Sequence, residues 1–411
     1  MLLTIAFRNI RRNGRRTGLC VAASGVAVFF IIFMQSMIAG MTAGIDTVVQ
    51  VFDTGHVTLT SADYEAEKES LPVWYPAADG RPFAEIAAAI RKIPHVKAVL
   101  PRIMAFATLQ DSTQKHALLW GISLQDELAA HDFNLTARSD GLTAGRFPGA
   151  EAQECAIGTA MARKTGLGIG DRIPLKTVSA QFSDKMWNPV ITGIFEFDYL
   201  KYDAEVILVP IDRLQRLLVL GDAAQQVVVF ADRPSDAETV AAAMRDLFGA
   251  GNIVEKWQDN YFVALMRAYM PLYTLVYLVF VVVASFLIIN TVLMIIHERM
   301  KEIGMMGSLG MTRREIVLVF FYEAVFLAGL GSLAGCAAGG LSTFALSFFP
   351  IDFAAMSGGG FKEMPMSGTL FMVFSPLMIL QGFFFGLTVT GLCTLIPSLR
   401  CAFIPPVDAL R

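Results

Sequence analysis

The chain has 411 residues, 55% of them hydrophobic, with 33 Lys and Arg against 36 Asp and Glu. A mean hydropathy of +0.54 makes it too apolar for an ordinary soluble enzyme, and the near-neutral charge argues against a nucleic-acid partner. The apolar residues fall in a few long runs. A helix rises about 1.5 Å per residue, so about 20 such residues cross the hydrocarbon core.

Residues 1–17 form a basic N-terminal segment containing Arg8, Arg11, Arg12, Arg15 and Arg16. From Gly18 to Ile45 there is no charged residue, which predicts a first span over 18–45. Secretory signals have apolar cores of about 7–15 residues. This run is much longer and reads as an uncleaved anchor.

Residues 46–267 read as a mixed α/β domain large enough to bury its own core. Alternation predicts strands at His56–Thr60, Ala117–Trp120, Asp171–Leu175, Val190–Phe195, Glu205–Val209 and Gln226–Phe230. Helices are expected from Phe83 to Ile93, stopped by Pro94, and from Ser235 to Leu247, with Ser235 and Glu238 at capping-box spacing. Two compact lobes are expected. The acidic pair Asp126-Glu127 reads as a solvated surface feature. Gln181 to Pro189 carries Phe182, Met186 and Trp187 between two strand-like stretches. Exposed, these side chains suit a hydrophobic cargo or partner; buried, they are a hairpin end, and both readings stay open.

Three further spans follow at 268–296, 316–349 and 370–399; across these windows Glu323 is the one charge. The segment 297–315 carries Arg299, Lys301, Arg313 and Arg314, and the tail 400–411 carries Arg400 and Arg411. The loop 350–369 has only Lys362. Basic residues favour the cytoplasmic side, so both termini and 297–315 face inward and residues 46–267 lie outside. The expected fold is an α-helical membrane protein with four transmembrane helices and a large mixed α/β extracytoplasmic domain between the first and second. Cys155 alone lies in that domain, which excludes an internal disulfide there.

The stretch Glu298-Arg299-Met300-Lys301-Glu302-Ile303-Gly304, through Leu309-Gly310 to Arg313-Arg314-Glu315-Ile316, carries the most information. An amphipathic segment here would lie along the membrane face and suit docking into a groove on a cytoplasmic partner. A basic connector that fixes topology explains the same pattern. Gly331, Gly335 and Gly339 stand four apart, as do Gly382 and Gly386, which favours close helix–helix approach within the chain or at a dimer seam. Glu323 fits either pairing with Arg314 or a proton or substrate role.

The run Glu298-Arg299-x-Lys301-Glu302-Ile303-Gly304 through Leu309-Gly310-x-x-Arg313-Arg314-x-Ile316 resembles the signature of FtsX-like ABC permeases, the superfamily of lipoprotein-release and MacB-type permeases. The opening Ala6-x-Arg8-Asn9-x-Arg11-Arg12, the turn Gly166-Leu167-Gly168-Ile169-Gly170-Asp171, Thr54-Gly55-His56-Val57 and the closing Pro397-Ser398-Leu399-Arg400 with Pro406-Val407-Asp408-Ala409-Leu410-Arg411 are similar in the same order. The resemblance implies a homo- or heterodimer of permease chains in a bacterial inner membrane, with cytoplasmic P-loop ATPase subunits that bind ATP and Mg. It also implies movement of an amphiphilic cargo, lipoproteins being the best single guess. This chain would hold no cofactor itself, since no G-x-x-x-x-G-K-[ST] loop occurs in it.

No H-E-x-x-H or G-x-S-x-G pattern occurs, so catalysis has no motif behind it. The competing reading is an FtsX-like scaffold whose outer domain activates a cell-wall hydrolase or other periplasmic partner. A membrane-anchored enzyme is the weakest reading.

Overall fold

The computed structural model describes residues 14–110, 116–131, 141–149, 152–197, 199–298, 305, 311–349, 351–352 and 369–402. They divide into two compact units. One takes the described parts of Met1–Met41, Tyr269–Ile351 and Phe371–Arg411; the other takes those of Thr42–Ala268 and Asp352–Leu370.

The first unit is helical. Its elements are α1 (Gly14–Val48), α6 (Tyr261–Glu298), α7 (Arg313–Phe348) and α8 (Pro376–Ala402), with the ends of α1 and α6 belonging to the second unit. Among the described residues three stretches are long and apolar enough to cross a membrane, Thr17–Asp53, Tyr261–Val283 and Arg314–Phe348, while Pro376–Val389 is a shorter apolar stretch.

Glycines set how closely these helices approach. A Cβ on Gly335 would stand 2.8 Å from the Val28 Cβ and run into the Gly25 carbonyl. One on Gly331 would strike the Ser24 side chain, and one on Gly339 would press Ile32 at 3.2 Å. Gly382 and Gly386 do the same for α8, against Ile32 at 2.7 Å and Ser332 Oγ at 2.6 Å. All five glycines are therefore filled by α1 or by a neighbouring helix of the same chain. Further along, the Ser36 hydroxyl donates to the Val373 carbonyl at 2.9 Å. In hydrocarbon there is no hydrophobic drive between helices, so this close van der Waals approach is what holds them.

The second unit is built on an eleven-stranded sheet. The strands are β1 (Val57–Ser61), β2 (Val96–Leu109), β3 (His116–Ile122), β4 (Leu142–Gly145), β5 (Glu154–Gly158), β6 (Leu175–Val178), β7 (Asp184–Trp187), β8 (Val190–Phe195), β9 (Val206–Pro210), β10 (Gln226–Ala231) and β11 (Asn252–Lys256). Their order is β11-β1-β10-β2-β3-β9-β5-β8-β4, with the β6–β7 hairpin attached to β2. The β3–β9 and β5–β8 pairs are parallel.

Both faces are covered, so the central strands are buried at nearly every position. Val57, Leu59, Val227 and Val229 pack on helices α2 (Phe83–Ile90) and α5 (Ala237–Phe248) through Ile86, Ile90, Val240 and Met244. Leu119, Ile157 and Ile207 pack on α4 (Ile211–Leu218) through Leu214 and Leu218. The two compact lobes expected do not appear as separate units: the domain is one compact unit, with several hydrophobic clusters packed on one continuous sheet. β2 joins them, pairing with β10 over Val96–Arg102 and with β3 over Arg102–Thr108.

Three local expectations need correction. Asp171–Leu175 is not a strand; an isolated bridge at Arg172 precedes β6. The Ser235/Glu238 capping box does not form, because Glu238 is drawn to Lys256 on β11 while Ser235 bonds Asp236. Of the pair Asp126-Glu127, only Asp126 is exposed. Glu127, on α3 (Leu124–Ala130), is 0% exposed and paired with Arg102.

The packing yields a direct expectation. Gly335→Leu places four carbons into the α1 seam and should lower the melting temperature of the full chain in detergent, overpacking of this kind costing about 1–3 kcal/mol or more. Gly329→Leu on the same helix, where nothing lies within 4 Å of an added Cβ, should leave it unchanged.

Candidate functional site

Two regions carry the functional argument: the segment joining α6 to α7, and the β6–β7 hairpin. Glu298 is the last residue of α6 and Arg313 the first of α7. Arg314 is exposed. Arg299, Lys301, Glu302, Ile303, Gly304, Leu309 and Gly310 lie outside the described residues. α7 begins with a full capping box: Thr312 Oγ1 accepts from the Glu315 amide, and the Glu315 carboxylate accepts from the Thr312 amide and hydroxyl, both at 2.8 Å. The T-x-x-E spacing signals this in the sequence, and it fixes where the helix starts relative to the Arg pair. Glu323 is buried in α7.

The hairpin mixes buried and exposed apolar groups. Trp187 is 5% exposed and packs into the sheet core beside Leu175 and Ile191. Phe182 and Met186 are 70% and 64% exposed. The pleat explains the split, since Met186 and Trp187 alternate faces on β7. The turn is closed by the Ser179 amide donating to Ser183 O at 2.9 Å, by the Phe182 amide donating to Ser179 O at 2.9 Å, and by the two serine hydroxyls 2.7 Å apart. A Lys176–Asp184 pair at 2.8 Å ties the strands together. Phe182 holds a left-handed φ of +55° and packs on Trp74 with ring centres 4.7 Å apart and planes tilted by 37°. A bulky residue in that region is held there by its surroundings at a strain of about 1–3 kcal/mol.

Among the described residues no group of His, Cys, Asp and Glu could hold a metal. His56 serves the fold: its Nδ1 accepts the Ala231 amide at 2.9 Å, and burial holds its pKa below the ordinary value, keeping the ring neutral. The Gly166–Gly170 cluster is a turn. Gly166, at φ +73°, ends the helix Thr159–Thr165, and the Gly168 amide donates to the Asp171 carboxylate at 2.8 Å. A cleft of about 650 Å³ opens beside α3 and α4. Asp126, Asp212 and Asp222 line it with Phe83, Leu128 and Ile211, and no basic side chain is among its lining residues, so it does not suit a nucleotide's phosphates.

Comparison with known proteins agrees with this layout. Residues 17–247 match the MacB-like periplasmic core domain and residues 274–406 match the FtsX-like permease C-terminal family. The chain belongs to the FtsX-like permeases. It is 25% identical over 299 residues to the lipoprotein-releasing system transmembrane protein LolC of Haemophilus influenzae, covering 70% of each chain. It is 33% identical over 124 residues to the macrolide export ATP-binding/permease protein MacB of Chlorobium phaeobacteroides, covering 30% of this chain and 16% of that one. Among solved structures, the periplasmic region of MacB from Actinobacillus actinomycetemcomitans aligns at 12% identity and a TM-score of 0.34, covering 54% of this chain and 92% of that one. By its two family matches, this FtsX-like permease is a membrane protein with a large periplasmic domain.

The hairpin geometry sets a test of whether its tip is core or contact surface. Phe182→Gly removes the ring contact, worth about 0.5–1.5 kcal/mol, and relieves strain of similar size. The melting temperature of the full chain should stay within about 3 °C of wild type. A larger fall would make the ring a core element.

Proposed function

We propose that this permease works as a dimer beside cytoplasmic P-loop ATPase subunits, and that ATP-driven movement of its helices drives extraction or export of an amphiphilic cargo. Lipoproteins leaving the inner membrane are the favoured class. The observation behind this reading is the pair of family matches, periplasmic core over residues 17–247 and permease over 274–406, in one chain and in that order. The similarity to LolC over 70% of both chains supports lipoproteins over macrolides. In this reading four helices span the membrane, α8 being the fourth. The ATPase-coupling surface is Glu298 to Arg314, and the tip of the β6–β7 hairpin offers Phe182 and Met186 to cargo or to a periplasmic acceptor, with Trp187 anchoring the hairpin beneath.

Native mass spectrometry of the gently solubilised complex tests the composition. Two permease chains with two P-loop ATPase chains and an acylated polypeptide support the proposal. A complex lacking an ATPase but holding a periplasmic hydrolase would replace it with the scaffold reading.

The coupling role has its own expectation. Alanine at Glu298, Arg299, Arg313 and Arg314 together should leave the chain in the membrane but lower cargo release per ATP hydrolysed at least tenfold in proteoliposomes carrying a fluorescent triacylated peptide. Full release by that variant would remove the coupling role.

A further inference from the structure

The last turn of a helix leaves carbonyls without partners inside the helix. α1 runs into a π-helical turn, Val49–Asp53, whose Val49, Val51 and Phe52 are buried, so water does not serve those carbonyls. The protein serves them one by one. Val49 O accepts the Thr54 amide at 2.9 Å. Val51 O accepts from Arg102 Nη2 at 2.7 Å, and Phe52 O accepts from the Tyr202 hydroxyl at 2.9 Å. Asp53 O lies 3.5 Å from Arg102 Nη1.

Arg102 stands on β2, where that strand changes partner from β10 to β3, and is 1% exposed. Its Nε and Nη2 meet the two carboxylate oxygens of Glu127 at 2.7 and 2.8 Å. Glu127 also bonds His131 Nε2 at 2.5 Å, and the guanidinium lies 5.5 Å from the centre of the Trp120 ring. The Arg102 charge holds the Glu127 pKa below the ordinary carboxylate value despite complete burial. On the far side of the turn, the Asp53 carboxylate accepts from Asn260 Nδ2 at 2.7 Å. Asn260 in turn opens α6, its side-chain oxygen accepting the Phe262 amide at 3.0 Å and its carbonyl the Ala264 amide at 2.8 Å.

Stability alone is a poor reason for such a pair. The desolvation of two buried charges roughly cancels their attraction, and apolar side chains of equal volume often replace them without loss. What apolar side chains cannot do is hold the Val51 carbonyl. The planar guanidinium reaches a carboxylate with one edge and a carbonyl with the other, so it fixes the end of α1 against the strand on which it stands.

We propose that Arg102, oriented by Glu127, is a positioning residue that locks the end of α1 to the periplasmic sheet and makes movement of that helix reach the sheet. The proposal rests on the ATP-driven permease reading. Its test is hydrogen exchange on the full chain assembled with its ATPase, with and without a non-hydrolysable ATP analogue. Two variants are compared with wild type, Arg102→Met/Glu127→Met and Arg102→Lys. Both should keep slow exchange in β9, showing that the sheet is intact, and both should keep ATP hydrolysis. Exchange at amides 50–54 should quicken roughly tenfold or more, the loss of about one hydrogen bond. The change in protection of β2 and β3 that nucleotide induces in wild type should disappear. Because Lys keeps the charge but not the fork, Arg102→Lys separates geometry from charge. A variant with unchanged exchange at 50–54, or one that transmits the nucleotide response in full, overturns the proposal while the permease reading stands. A wild-type complex with no nucleotide response overturns both.

Discussion

A membrane helix that enters a folded domain must hand its last carbonyls to some donor, and this demand organises the periplasmic unit. In hydrocarbon the helix satisfies its own backbone, and in water the solvent would. α1 ends in neither. Its π-helical turn is buried among Trp120, Phe197, Tyr199 and Tyr202, so the donors have to come from side chains packed around it, one on β2 and one on the short helix Leu200–Glu205. Arg102 and Tyr202 supply them, and placing Arg102 there requires Glu127, which requires α3 to fold down onto β2. One local shortage of hydrogen-bond donors thus accounts for a fully buried charge pair, for a short helix and for a Tyr whose hydroxyl points inward.

The membrane unit answers a different constraint. Its helices gain nothing from burying one apolar surface against another, so contact depends on how closely backbones approach. Gly25 of α1 faces the Gly331 carbonyl, and Gly335 faces Gly25 in return. Val28 and Ile32 then fill the spaces left by Gly335, Gly339, Gly382 and Gly386, so α1 packs on both α7 and α8, which also touch each other, with its branched residues as the knobs.

Much of this was legible in the sequence wherever the signal is local. Charge-free runs of membrane length, glycines four apart, and the period-two alternation of Val190–Phe195 and Gln226–Phe230 each depend on neighbours in the chain. β2 escaped because Pro101 reads as a strand breaker; it is tolerated at the point where pairing passes from β10 to β3. Glu127 escaped for a stronger reason. Its pair with Arg102 joins residues far apart in sequence, and nothing in Leu124–Ala130 separates a buried carboxylate from the exposed Asp126 beside it. The Ser235–Glu238 signal misled because a nonlocal lysine, Lys256, outcompeted a local amide.

The hairpin shows the same contest between local and global demands at the surface. A Phe at φ +55° in the open is opposed by backbone sterics and by hydration together, and a glycine would satisfy the turn with less strain. The serine-closed turn, the Lys176–Asp184 pair and buried Trp187 nonetheless hold the tip in one shape. Rigidity of this kind does little for a solvated loop, but for a surface that must receive an apolar group it lowers the entropy lost on contact. Fixed geometry therefore stands at two places that the proposed cycle would use. One is the end of α1, where movement would arrive; the other is the hairpin tip, where cargo would be met.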